Sequence, residues 1–246
     1  MAETKVPVEN VETNAAVERA KGFWAKFSRP IMYIGGAIIV LACAWFGYKY
    51  LYKLPNEAKA NDIVFPAEKL FDKMAQVSSF PKDTVGIVLN GGMVDGEKVN
   101  GLLTFINNYG GTAAGNRAQY ITGACYLHLG EFDKAVKYLK EFDGNGATQI
   151  SSAAYRMLGD AYGELKKNSE ALAAYKKAID AAADKDDITK FLATSRAALF
   201  CEATGNTKEA ITLFQQLKDE FGRDFYRNNR ISFDPDKYLA KLGVTP

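Results

Sequence analysis

Proline is missing from residues 82–234: the seven prolines stand at 7, 30, 55, 66, 81, 235 and 246 of a 246-residue chain. A run of that length without proline, rich in Ala, Lys, Leu and Tyr, reads as helix after helix, because nothing in it removes a hydrogen bond from the helical ladder. Histidine is scarce as well, one residue beside three cysteines, which leaves little room for an imidazole–thiolate metal site. Neither sign of charge prevails, since 31 Lys and Arg face 29 Asp and Glu for a net charge of +2. That balance argues against a nucleic-acid binder, which would present a strongly basic face. With 48% apolar and 24% charged residues, bulk disorder is excluded, and the length suffices for one or two domains with a core.

Charge is absent altogether from Ile31 to Tyr48. A helix of that length covers roughly 27 Å, and extending it to Tyr52 with Lys49 snorkelling matches a bilayer core of about 30 Å. Trp24, Phe27 and Tyr33 gather at one end and Trp45, Tyr48, Tyr50 and Tyr52 at the other, where amphipathic rings prefer to lie. Residues 30–53 are therefore predicted as one membrane-spanning helix, with Arg29 and Pro30 closing it off before the bilayer. A cleaved signal would begin close to Met1. Val40-Leu41-Ala42 before Cys43 suggests a lipoprotein signal, but the chain beyond Cys43 stays apolar and aromatic where a lipidated tether turns polar.

Residues 1–29 are expected as a disordered to amphipathic tail. Arg19, Lys21, Lys26 and Arg29 precede the span and Lys49, Lys53 and Lys59 follow it, a weak bias toward a cytoplasmic N-terminus and a translocated C-terminal domain. Seven cations and four acids lie in the first 53 residues, so the remainder carries −1 and has no net charge to hold it on anionic lipid.

Repetition organises the rest. Shifting Gly123, Tyr126 and Ala135 by 36 positions gives Gly159, Tyr162 and Ala171. Tyr155, Leu158, Tyr175 and Ala178 complete the second unit, and Gly205, Ala210, Phe214 and Leu217 hold equivalent late positions in a third. The pattern resembles the tetratricopeptide repeat, in which small residues let two antiparallel helices approach and aromatics fill the space between pairs.

Units are set at 116–151, 152–190 and 191–222. Lys166 stands in place of the turn glycine of the second, and Ala198 and Cys201 in place of Gly and Tyr in the third. Insertions are placed at 143–151 and 184–190. Cys125 and Cys201 then fall two units apart, too far for a disulfide, and read as small buried hydrophobes.

Residues 54–115 are expected as a linker and a degenerate helical hairpin. Pro66 opens one helix through Ala75, with Leu70, Phe71 and Met74 on one face. Glu97 to Tyr109 forms another, with Val99, Leu102, Leu103 and Ile106 as its apolar stripe. Asn90-Gly91-Gly92 and Asp95-Gly96 are turn signals, and Gly86-Ile-Val-Leu reads as a strand or a helical turn. Asp234-Pro235 caps a last helix carrying Tyr238, Leu239 and Leu242, which Gly243 stops and which covers the end of the stack. The fold class is all-α: one transmembrane helix, then a tetratricopeptide-type solenoid with a C-terminal capping helix.

Catalytic motifs are lacking. Asn90-Gly91-Gly92 has no following Lys-Ser/Thr and makes no phosphate loop. Cys125 and His128 are three apart on a helix, but no acid is placed to orient them. Asp184, Asp186 and Asp187 lack the spacing and terminal Glu of a calcium loop and read as a solvated turn. No cofactor, metal or enzymatic activity is expected.

What remains is a binding surface. In tetratricopeptide arrays the first helix of each pair lines a groove, and the resemblance places Arg117, Tyr120, Leu127, His128, Arg156, Asp160, Leu192, Ser195 and Leu199 there. That mixture suits an extended or helical apolar segment with polar ends. The family's clamp for C-terminal carboxylates uses Lys and Asn where this chain has Tyr120 and Ala124, so such a clamp is not expected.

The order of parts is more specific. A short polar tail, one anchor, a helix pair with an Asn-Gly turn, Tyr109-Gly-Gly-Thr-Ala-Ala-Gly-Asn-Arg-Ala118 and Tyr126-Leu-His-Leu-Gly-Glu-Phe-Asp-Lys-Ala135 together resemble the bacterial YfgM-type ancillary subunits of the SecYEG translocon. The resemblance implies an inner-membrane protein with a periplasmic repeat domain. Its partners would be the translocon, a PpiD-type periplasmic chaperone and emerging secretory polypeptides, held and handed over without nucleotide. The alternatives are a scaffold or adaptor of another envelope or secretion complex, and a cytosolic organelle adaptor, against which the N-terminal anchor counts.

Overall fold

A computed structural model describes residues 9–144, 146–182 and 186–244. The chain divides into two compact units, Met1–Ala58 and Lys59–Pro246.

The first unit is built on α1 (Glu9–Gly47) and a π-helical stretch, Tyr48–Lys53. Among the described residues this is the one helix long and apolar enough to cross a membrane, and none of its apolar window is buried. One expectation changes here. Pro30 lies inside α1 rather than closing the span off; proline removes one ladder hydrogen bond but does not by itself end a long helix. The rings at the far end pair in helical register, Phe46 on Tyr50 at 5.9 Å and Tyr48 on Tyr52 at 5.7 Å.

The division between the units falls within α2 (Leu54–Gln76). In the second unit α2 buries Ala60, Val64, Ala67 and Met74, a stripe at helical spacing. Pro66 is internal to this helix, not its first turn. After α3 (Lys82–Asn90) comes a two-stranded antiparallel hairpin, β1 (Gly91–Val94) and β2 (Glu97–Asn100), which the all-helical reading of 97–109 missed. Its two-residue turn, Asp95 and Gly96, takes positive φ at both positions (51° and 82°). That geometry matches the twist of paired strands, so Val99 is buried from a strand and the helix α4 (Leu102–Tyr109) begins only afterwards.

Three helical hairpins follow: α5 (Ala113–Leu129) with α6 (Phe132–Glu141), α7 (Thr148–Glu164) with α8 (Asn168–Ala181), and α9 (Asp187–Ala203) with α10 (Thr207–Glu220). The helices of each pair are joined by the same turn. Gly130, Lys166 and Gly205 all adopt left-handed φ (77°, 61° and 76°). Each turn closes with two hydrogen bonds to the preceding helix, as Lys166 N to Gly163 O at 2.9 Å and Lys167 N to Tyr162 O at 2.9 Å.

Within the pairs, a Cβ on Gly123 would meet Leu139 at 2.5 Å and one on Gly159 would meet the Tyr175 ring at 2.6 Å. The small residues of the repeat are there for this approach. Tyr162 packs against both core clusters, one running from α2 to Ala174 on α8 and the other from Ala171 on α8 through α9 and α10 to Leu239. Cys125 lies in the first cluster and Cys201 in the second, both buried and unbridged.

The stack ends in α11 (Arg223–Asn228) and α12 (Pro235–Lys241). As expected, Asp234 caps α12 by accepting Asp236 N at 3.1 Å, and Tyr238 lies flat on Phe214 at 4.8 Å. Sequence reading missed α11. Its Phe225 and Tyr226 join Phe221 and Phe233 around buried Phe191, at ring separations of 5.5–5.7 Å.

Candidate functional site

The first helices α5, α7 and α9 carry all nine predicted groove residues, but these do not share one environment. Arg117 is taken up by α2: its Nε donates to Glu68 Oε1 at 2.9 Å and its Nη2 to Asn61 Oδ1 at 2.9 Å. Tyr120 is half-buried and packs against Phe142 with ring centres 5.4 Å apart. Leu127 is half-buried on the first core cluster. His128 lays its ring on Phe80 at 3.6 Å, nearly parallel.

Farther along, Asp160 Oδ1 accepts from Tyr175 Oη at 2.5 Å and from Arg196 Nε at 2.7 Å. Arg156 is half-buried, and its Nε has no hydrogen-bond partner among the described residues. Ser195 is buried and donates to Leu192 O at 3.3 Å, whereas Leu192 itself is exposed. Leu199 helps line a cavity of about 390 Å³ with Asp160, Gly163, Tyr175 and Phe200.

Arg117 and Tyr120 open onto a different and more apolar cavity of about 450 Å³, a size that accepts a side-chain cluster or a short peptide segment. Phe71 from α2, Tyr120 and Ile121 from α5, Phe142 from the α6–α7 connection and Ile150 from α7 form its apolar walls. Glu68, Asp72, Asn116 and Arg117 form its polar rim. The rim is held in place: besides the Arg117 contacts, Asn116 Nδ2 donates to Asp143 O at 2.6 Å and Asn116 Oδ1 accepts from Asp143 N at 2.8 Å.

Sequence reading put Phe71 on an apolar helix face and passed over Phe142, just ahead of what was read as an insertion, and Ile150 within it. Glu68 and Arg117 are 49 positions apart, a pairing that no local pattern signals.

Burial pushes the Cys125 thiol up to about 12 and the Cys201 thiol up to about 11, so neither is a thiolate at neutral pH. Burial also lowers the pKa of His128. It raises that of Tyr120, with the Arg156 cation opposing. Asp186 caps α9, its carboxylate accepting Thr189 Oγ1 at 2.7 Å and Thr189 N at 3.0 Å, and these bonds hold its pKa below the usual carboxylate range. The acidic turn it belongs to was weighed as a calcium loop; Asp184 lies outside the described residues.

Two stretches match tetratricopeptide-repeat families, residues 117–143 over the first hairpin and residues 152–185 over the second. No curated protein and no solved structure matches the chain. Residues 117–185 thus hold tetratricopeptide repeats set in an all-helical stack behind an apolar N-terminal helix, the repeat architecture of a protein–protein interaction scaffold.

Proposed function

We propose that this protein is a single-pass bacterial inner-membrane protein with its N-terminus in the cytoplasm and its repeats in the periplasm. In this reading it serves as an ancillary subunit of the SecYEG translocon, binding a PpiD-type chaperone and emerging secretory chains. The observation that carries a role in holding polypeptide is the cavity walled by Phe71, Tyr120, Ile121, Phe142 and Ile150. Its rings and aliphatic chains are packed into a fixed wall, so an apolar residue entering from a passing chain meets a preformed surface and releases water without first ordering the site. On α9, Leu192 is exposed and Leu199 lines a separate cavity. Support for the translocon as the place of action comes from the order of anchor, hairpin and repeats and from the Tyr109–Ala118 and Tyr126–Ala135 stretches.

Mild-detergent purification of the tagged full-length protein, followed by mass spectrometry, tests both parts. Translocon subunits and the chaperone at near-stoichiometric levels are expected. A Tyr120→Ala, Phe142→Ala variant should keep the translocon and lose about tenfold in crosslinking to secretory chains, the effect of removing central aromatic anchors. Another envelope complex in place of the translocon moves the function to a scaffold of that complex and leaves the fold intact.

A further inference from the structure

The helix ahead of the membrane-spanning stretch sorts its side chains into two faces. At about 100° per residue around α1, Val17, Ala20, Phe23, Trp24, Phe27 and Ile31 share an arc of about 120°. All six are exposed. The rest of the circumference holds Arg19, Lys21, Lys26 and Arg29 with Glu18 as the one acid, a net charge of +3 over residues 17–29. The rings form a continuous apolar strip, Phe23 against Phe27 at 4.8 Å, and Lys26 Nζ reaches over its edge to 5.5 Å from the Phe27 ring centre.

A helix that is aromatic on one side and cationic on the other partitions into the boundary between headgroups and acyl chains of an anionic bilayer. Pro30 stands where this segment meets the span. It has no N–H to give to the Lys26 carbonyl, so α1 bends there at less cost than elsewhere. The adjoining span holds the segment within reach of the headgroups, which makes its docking intramolecular and raises its effective concentration.

We propose that residues 17–29 are an anionic-lipid binding surface, lying along the bilayer with Phe23, Trp24 and Phe27 among the acyl chains and Arg19, Lys21, Lys26 and Arg29 among the headgroups. This rests on the membrane-anchor reading and is independent of the translocon role.

A Trp45→Phe substitution leaves Trp24 as the sole tryptophan in an otherwise complete chain. That variant is placed in nanodiscs of phosphatidylcholine, with or without added phosphatidylglycerol, and quenched with neutral acrylamide. Trp24 should be shielded in the anionic discs, more open in the neutral ones, and increasingly open as salt rises. Changing Arg19, Lys26 and Arg29 to Gln should reduce the docked-to-lifted ratio about fivefold per charge removed. Equal quenching in the two lipids, or no response to the Gln substitutions, overturns the proposal. Loss of copurifying translocon leaves these readings unchanged, so the two failures are distinguishable.

Discussion

Tyr175 Oη on α8 donates a hydrogen bond to Asp160 Oδ1 on α7 at 2.5 Å, and the same carboxylate oxygen accepts from Arg196 Nε of α9 at 2.7 Å. One side chain thereby ties the second hairpin together and joins it to the third. The Tyr175 side is buried and the Arg196 side is open, with Arg196 54% exposed. Replacing Asp160 by Ala should destabilise the repeats by about 1–3 kcal/mol, because a buried phenol loses its acceptor. Arg196→Ala should cost under about 1 kcal/mol, the usual worth of an exposed ion pair. Thermal melts of the full chain in detergent, followed by circular dichroism, compare the two.

Alanine for glycine should act with opposite sign at two helical positions. At Gly159 the new Cβ falls 2.6 Å from the Tyr175 ring, and overpacking of about 1–3 kcal/mol outweighs a propensity gain of at most about 1 kcal/mol. At Gly86 on α3 nothing lies within 4 Å, so the gain is left unopposed and the melting temperature should rise.

Lys166 holds the left-handed turn position that Gly130 and Gly205 hold in the neighbouring hairpins. A side chain there costs about 1–2 kcal/mol in backbone strain, offset in part by the greater chain entropy that glycine loses on folding. Lys166→Gly should therefore stabilise the second hairpin by about 0.5–1 kcal/mol, and Gly205→Lys should destabilise the third. A melting temperature unmoved by Lys166→Gly would show that the turn is strained no more than an ordinary one.

Acid should loosen the contact between α5 and Phe80. Burial lowers the His128 pKa, so the folded protein favours the neutral ring that stacks on Phe80. The contribution is fully present above the unfolded value of about 6.5 and is lost as pH falls through the lower folded value, because the unfolded chain takes up the proton first. The melting temperature of the wild type should fall over that window relative to a His128→Phe variant. Parallel curves for the two proteins would remove His128 as the source.

How much of this was legible in the residues differs by element. The three hairpins were readable because the signals are local and periodic: Gly123 and Gly159 at contact points, Ala135, Ala171 and Ala210 on the facing helices, and turn residues at Gly130, Lys166 and Gly205. The Asp234-Pro235 cap was readable for the same reason. Helix ends were less so. Pro30 and Pro66 were taken as boundaries and lie inside α1 and α2, since a single missing hydrogen bond is tolerated in a long helix. Residues 97–100 hold one apolar side chain, Val99, which sets no period, and the Asp95-Gly96 turn decided for a strand.

The sequence by itself determined the repeat fold and the apolar N-terminal helix, because both follow from the identity of residues a few positions apart. The tertiary structure alone decided which of the nine positions expected to line a groove are left without contacts to other elements. Arg117 is spoken for by Glu68 and Asn61, Asp160 by Tyr175 and Arg196, and His128 by Phe80, all contacts between separate elements. The apolar cavity arises the same way, when Phe71, Tyr120, Phe142 and Ile150 from four elements converge. Periodicity fixes which face of a helix is apolar; only the packing of that face against its neighbours fixes which part of it is left uncovered.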